Sequence, residues 1–175
     1  TMNRKPTSTT ETLWILGLIL VAAATRIIPH PFNFTALGAM SLFSGSRLQD
    51  SRKAYLLPFA ALFMTDLILG FHASILPVYL GFGIYVWLGS RMRNRESVLK
   101  IGASAITGSI LFFLLTNLPF WYVDIQLYPM TLEGVRQSYT AGLPYFANQL
   151  AADLLYAAAL FGIHSWVTRK SVSLA

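Results

Sequence analysis

The sequence predicts an all-α integral membrane protein, a bundle of six transmembrane helices with both termini in the cytoplasm. Three observations predict it. Of the 175 residues, 55% are hydrophobic and only 11% are charged, too few charges for a water-covered surface. The apolar residues fall in long runs separated by short charged segments, as in a chain that crosses a bilayer repeatedly. The basic residues also segregate. Arg4, Lys5, Arg47, Arg52, Lys53, Arg91, Arg93, Arg95, Lys100, Arg169 and Lys170 fall on one side of the predicted bundle, and only Arg26 and Arg136 on the other. The positive-inside rule places the richer side in the cytoplasm.

Six apolar segments lie near 12–28, 32–46, 54–70, 74–90, 99–118 and 142–167, between an N-terminal tail (1–11) and a C-terminal tail (168–175). The first follows Arg4 and Lys5, and Ala22-Ala23-Ala24 within it resembles a leader cleavage site. It is taken as the first membrane helix. A span needs about 20 residues, so 32–46 is short and is expected to tilt or to be buried by its neighbours. Pro29 and Pro31 bracket the turn before it. Pro58 falls early in the third helix, where proline is tolerated. The connections after the first and third segments are short, and the one at 119–141 is the longest. Within it, "YPMTLEGVRQSY" predicts an interfacial helix starting near Thr131, with Glu133 in its first turn favouring the dipole. Trp14, Trp87 and Trp166 fall near the inner boundary and Trp121 near the outer one, as interfacial anchors do.

The formal net charge is +6, but the cations lie in short loops and form no basic face, so nucleic acid is excluded as a partner. The chain has no cysteine. Disulfides, thiolate metal sites and cysteine nucleophiles are therefore absent. HExxH, GxSxG and P-loop motifs are also absent, and without a P-loop the chain cannot energise pumping by itself. There is no clear internal repeat of the kind inverted-repeat transporters carry. The small residues of "TALGAMSLFSG" and Ala22–Ala24 permit close helix packing.

Placing the polar residues on this topology gathers them at one end. Arg26 ends the first helix, and His30 and Asn33 flank the next turn. Asp66 is about one turn below the outer end of the third helix, with His72 at its mouth. Asn117 ends the fifth helix, and Trp121 and Tyr145 follow on the outer side. With the sixth helix starting at 142, Asn148 lies about 9 Å and Asp153 about 16 Å below its start. Ionisable groups inside a membrane are costly and mark functional sites by default. The expectation is a pocket open to the outside, with aromatic walls and a few polar contacts suited to a bulky, partly apolar ligand. Each residue has a structural alternative. Arg26 and Asp66 lie at similar depth and suit an ion pair. Asp153 suits either interhelical hydrogen bonds or a protonated carboxyl, and Asn117 and Asn148 suit interhelical hydrogen bonds. His164 is expected at the inner interface. His72, His30 and Asp66 form a weak metal-binding set, with His72 the first candidate.

The stretches "ATRIIPHPFNFTALGAMSLFSG", "TDLILGFHASILPVYLGF", "LFFLLTNLPFW", "YPMTLEG" and "LPYFANQLAADLLY" together resemble a widespread bacterial membrane-protein family of unknown function, over about Ala24 to Gly162. The architecture also resembles the S components of energy-coupling-factor vitamin transporters, a likeness at the level of fold. That resemblance implies a multi-pass protein of the bacterial cytoplasmic membrane with a substrate pocket on the outer side. It implies a vitamin- or cofactor-like ligand, for instance a corrinoid held through His72, which would be substrate rather than cofactor. It also implies an energising transporter module as partner. The Ala-x-x-x-Ala docking pattern of the first helix is missing from "TLWILG", so a solitary role is equally open. Two alternatives stay open as well: a membrane-embedded metal-dependent enzyme, and a structural or assembly subunit of a membrane complex, which would have a filled interior.

Overall fold

The computed structural model describes residues 9–71 and 74–173, with side chains described at 13–71, 74–122 and 125–168. Among the described residues it is all helical: α1 (Thr9–Ala24), α2 (Leu37–Arg47), α3 (Ser51–Leu69), α4 (Ile75–Met92), α5 (Val98–Thr116), a short 3-10 segment (Pro119–Ile125) and α6 (Leu132–Ser173).

Local chemistry sets several of these boundaries. Asp50 caps α3 by accepting the Arg52 amide at 2.8 Å, and Ser97 caps α5 by accepting the Lys100 amide at 3.3 Å. At the far end of α3, Gly70 has a φ of 93°, a backbone region closed to most side chains. Thr131 begins α6, its hydroxyl accepting the Gly134 amide at 3.3 Å.

The interfacial helix expected near Thr131 is present, but it does not stop before a separate sixth helix. The two are one helix of 42 residues that runs through Pro144. At 1.5 Å per residue it is roughly 63 Å long, about twice the thickness of a bilayer's hydrocarbon core. The expected start at 142 was therefore ten residues late. The second segment also differs. Residues 25–36, expected to form a tight turn and then helix, make a connection of successive turns and bends, and α2 has only 11 residues. Among the described residues, three helices are long and apolar enough to cross a membrane: Ile75–Met92, Val98–Thr116 and Leu132–Thr168. The apolar part of α1, Leu13–Ala24, is shorter. α3 has 19 residues but carries Arg52, Lys53 and Asp66.

α2 is the axis of the fold. Every residue from Leu37 to Ser46 is buried, and α2 packs against all five other helices. Its small residues make this possible. A Cβ on Gly45 would fall on the Val86 carbonyl, and one on Gly89 would fall on the Leu42 carbonyl. The backbones of α2 and α4 are thus in direct contact at one crossing, as small residues allow between membrane helices. Met40, Leu42 and Phe43 of α2 join Tyr85, Val86, Leu62 and Ile15 in the core.

The outward faces of the surrounding helices are apolar. Leu20, Val21, Leu56, Met64, Ile68, Leu76, Leu99, Leu155 and Trp166 are each more than half exposed. So wide an apolar surface is far beyond what a monomer in water shows.

Candidate functional site

The helices enclose a cavity of about 720 Å³ at one end of the bundle. Its walls come from the 25–36 connection, the N-terminal ends of α2 and α4, the C-terminal ends of α3 and α5, and the first half of α6. Phe82, Phe112, Phe113, Phe146, Tyr128 and Tyr145 supply most of its aromatic lining. Four of these rings pack in two pairs, Phe82 on Phe112 at 5.0 Å and Phe113 on Phe146 at 4.9 Å between centroids, an arrangement aromatic side chains favour.

Arg26 stands on one wall. Its Nη1 lies 2.5 Å from Asp66 Oδ1, a close ion pair that is out of line for a well-formed hydrogen bond. The same nitrogen donates to Thr65 Oγ1 at 2.7 Å and to the Leu62 carbonyl at 3.2 Å. Asp66 is fully buried, while Arg26 keeps 14% of its side chain exposed and lines the cavity. The second oxygen of Asp66 accepts from the Tyr79 hydroxyl at 2.9 Å. Burial of this charge is thus matched by an opposite charge and a hydrogen bond, the condition under which it is tolerated.

Asp153 stands at the floor, 1% exposed. Its Oδ2 accepts from the Tyr85 hydroxyl and from Ser109 Oγ, the latter at 2.7 Å. Gln149 donates to the Tyr85 oxygen at 3.0 Å. Oδ1 rests on the Gly38 backbone beside the Ala39 amide, without a well-formed hydrogen bond. A carboxylate therefore ties α2, α4, α5 and α6 together beneath the cavity. Gly38 is required there, because a Cβ would occupy the place of Oδ1.

The rim is pinned in two ways. In the 25–36 connection, Thr25 Oγ1 accepts the Ala36 amide at 2.9 Å, and Asn33 takes a φ of 61°, a conformation asparagine tolerates better than most residues. Asn148 donates to the Phe32 carbonyl at 3.0 Å, and His30 contacts the carbonyls of Pro31 and Arg26. On the opposite side, the last carbonyls of α5, which have no partner within the helix, are each capped by a side chain. Tyr139 donates to Leu114, Trp121 to Leu115, Tyr122 to Thr116 and Ser138 to Asn117, at 2.6 to 2.8 Å. Burial raises the Tyr122 phenol above its ordinary pKa.

Of the residues singled out in the sequence, Arg26, His30, Asn33, Asn117, Tyr145 and Asp153 line this cavity. Asp66 lies behind Arg26 and orients it. Trp121 and Asn148 are not on the lining; they brace α5 and the 25–36 connection. With α6 starting at 132, Asn148 and Asp153 lie about 24 Å and about 32 Å along that helix, Asn148 beside the 25–36 connection and Asp153 opposite the middle turns of α4 and α5. His72 is outside the described residues. Among the described residues no group of three or more His, Asp or Glu side chains could hold a metal ion. His164 is buried rather than interfacial, its ring packed edge-on to Phe43 at 5.5 Å. Sequence reasoning missed Thr65, Tyr79, Tyr85, Ser109 and Gln149. Apolar sequence around them gave no sign of which hydroxyl would meet which carboxylate.

A family model described as a family of unknown function (DUF6580) matches residues 6–174. The match takes in nearly the whole chain, so the chain belongs to that family. No curated protein and no solved structure matches the chain.

Proposed function

We propose that this member of a family without assigned chemistry is a multi-pass membrane protein that binds a small molecule in a cavity facing the outside of the cell, in the manner of a transport S component. The cavity is the observation that carries this reading. Its volume of about 720 Å³ lies within the range of small-molecule sites. Its walls combine aromatic rings with polar groups, among them Arg26, Asn117 and the Asp153 floor, which hydrogen bonds hold in place. A vitamin- or cofactor-like molecule with a ring system and a polar group suits that lining. The cavity weighs against an assembly subunit with a filled interior, although the Arg26–Asp66 pair fits that role.

Six membrane segments and cytoplasmic termini belong to the same proposal. The exposed apolar faces of α1 and α3 support it, as does the charge bias of the connections. The buried α2 then needs no lipid contact, which makes its short length acceptable. The chain has no cysteine, so single-cysteine variants report topology cleanly. A cysteine at exposed Ile28 should react with an impermeant maleimide on intact cells, and one at Arg4 or Lys170 only after lysis. The opposite pattern refutes the orientation. Native mass spectrometry of the protein released from mild detergent tests binding. A reproducible non-lipid adduct, lost when Phe112 is replaced by Trp to fill the cavity, is the expected result. Absence of any adduct, with no ligand extracted by organic solvent, refutes it.

A further inference from the structure

Arg26 carries a feature that the cavity alone does not explain. Its contacts with Asp66 Oδ1, Thr65 Oγ1 and the Leu62 carbonyl are all made by Nη1. Among the described residues, Nε and Nη2 have no protein partner. A guanidinium binds a carboxylate or phosphate through two parallel N–H bonds along one edge. The Nε–Nη2 edge is such an edge, and it belongs to a side chain that lines the cavity and keeps 14% of its surface open. Donors left without an acceptor in an apolar cavity are costly, so the edge calls for an acceptor pair from a ligand or from water.

The opposite wall differs. Asp153 is 1% exposed, and its carboxylate is covered by Tyr85, Ser109 and the Gly38 backbone. It braces helices and is almost wholly covered. Arg26 is the permanent cation on this lining, and its guanidinium is fixed by a buried anion behind it. Between the Nε–Nη2 edge and the floor stand the rings of Phe82, Phe112, Phe113 and Phe146.

We propose that the Nε–Nη2 edge of Arg26, held by Asp66 and Thr65, receives the carboxylate or phosphate of a ring-bearing small anion whose body packs among these phenylalanines. This rests on the small-molecule reading above and adds the ligand's chemical class. Asp66 is then a positioning residue, since it sets the guanidinium plane without touching the ligand.

The test uses the full chain in phosphatidylcholine nanodiscs and probes that share one ring system: 2-naphthoate, 2-naphthyl phosphate, neutral 2-naphthamide and cationic 2-naphthylmethylammonium. Saturation-transfer NMR titration gives their relative affinities. One of the anions should bind about tenfold to a hundredfold more tightly than the amide, and which one separates carboxylate from phosphate ligands. Arg26→Lys should lose most of that preference, because an ammonium lacks the paired edge. Arg26→Gln leaves Asp66 buried alone and endangers the fold, so Arg26→Gln/Asp66→Asn removes both charges together. In that variant the anions should bind no more tightly than the amide. Equal binding of anions and amide in the unaltered protein, tightest binding of the ammonium, or an anion preference that survives in the double variant overturns the inference and leaves the cavity reading standing. Failure of all the probes to bind overturns both. The ranking in the unaltered protein decides the matter even if no variant folds.

Discussion

Replacing Gly45 or Gly89 by alanine should loosen the bundle at its axis. A Cβ at either position lands on a backbone carbonyl of the facing helix, that of Val86 or that of Leu42. A flexible side chain could swing aside, but a carbonyl fixed in a helix cannot, so α2 and α4 must separate by on the order of 1 Å to restore contact distance. Overpacking of this kind costs about 1–3 kcal/mol. The higher helix propensity of alanine returns about 0.5–1 kcal/mol of it. The two glycines serve the same crossing, so once the helices have parted for one methyl the second costs less, and the double variant should fall short of the sum. By contrast, Gly102 and Gly162 have nothing within 4 Å of a Cβ, and alanine there should stabilise by about 0.5–1 kcal/mol. Thermal unfolding in detergent, followed by monodispersity on size exclusion, reads all of these. Gly45→Ala should melt several degrees below the parent, at about 2–4 °C per kcal/mol for a chain of this length, and Gly102→Ala slightly above it. Gly45→Ala and Gly89→Ala melting at or above the parent would show that the α2 and α4 backbones do not touch.

Other substitutions probe the cavity's supports. Asp66→Ala strands Arg26 in a dry setting and should cost about 3–5 kcal/mol, whereas Arg26→Met/Asp66→Leu should cost clearly less; equal losses in chemical denaturation would deny that the two charges are coupled. Tyr85→Phe removes the hydroxyl that donates to Asp153 and accepts from Gln149, and should destabilise by about 1–3 kcal/mol. A double-mutant cycle with Asp153→Asn should return a non-zero coupling, and strict additivity would break the network. Trp121→Phe should lower stability by about 1 kcal/mol through the lost bond to Leu115 while leaving ligand binding unchanged; weakened binding at unchanged stability would make Trp121 a ligand contact after all. Arg136→Ala, which breaks an exposed pair with Glu133, should leave the melting temperature where it is.

The polar end of the molecule was legible because each anomaly stood out against apolar sequence. Arg26, Asp66, Asn117 and Asp153 lie in or beside hydrophobic runs, and the helix count with the distribution of charges in the loops placed the first three at one end of the bundle and Asp153 deeper, about 16 Å below the expected start of its helix. Their partners were not legible. Tyr79 and Tyr85 are ordinary members of an apolar helix until Asp66 and Asp153 arrive opposite them. Trp121 looked like a pocket aromatic, and its indole instead closes the end of α5. The boundary of α6 was misplaced because the apolar run begins only near 142, yet the more polar turns from Leu132 onward join it without a break.

By itself, the sequence determined an all-helical fold, the lengths of α3, α4 and α5 to within a few residues, and several of the polar residues that gather at one end of the bundle. These follow from local quantities: hydropathy over a window, caps such as Asp50 and Ser97, and the placement of charge. The tertiary structure alone decided that α2 is short and central, that Arg26 is held through one nitrogen at the wall of a cavity, and that Asp153 is a brace. Such features depend on which side chains meet across helices far apart in the chain. One-dimensional periodicity does not carry that information, because the same apolar stripe can pack against several neighbours at several rotations.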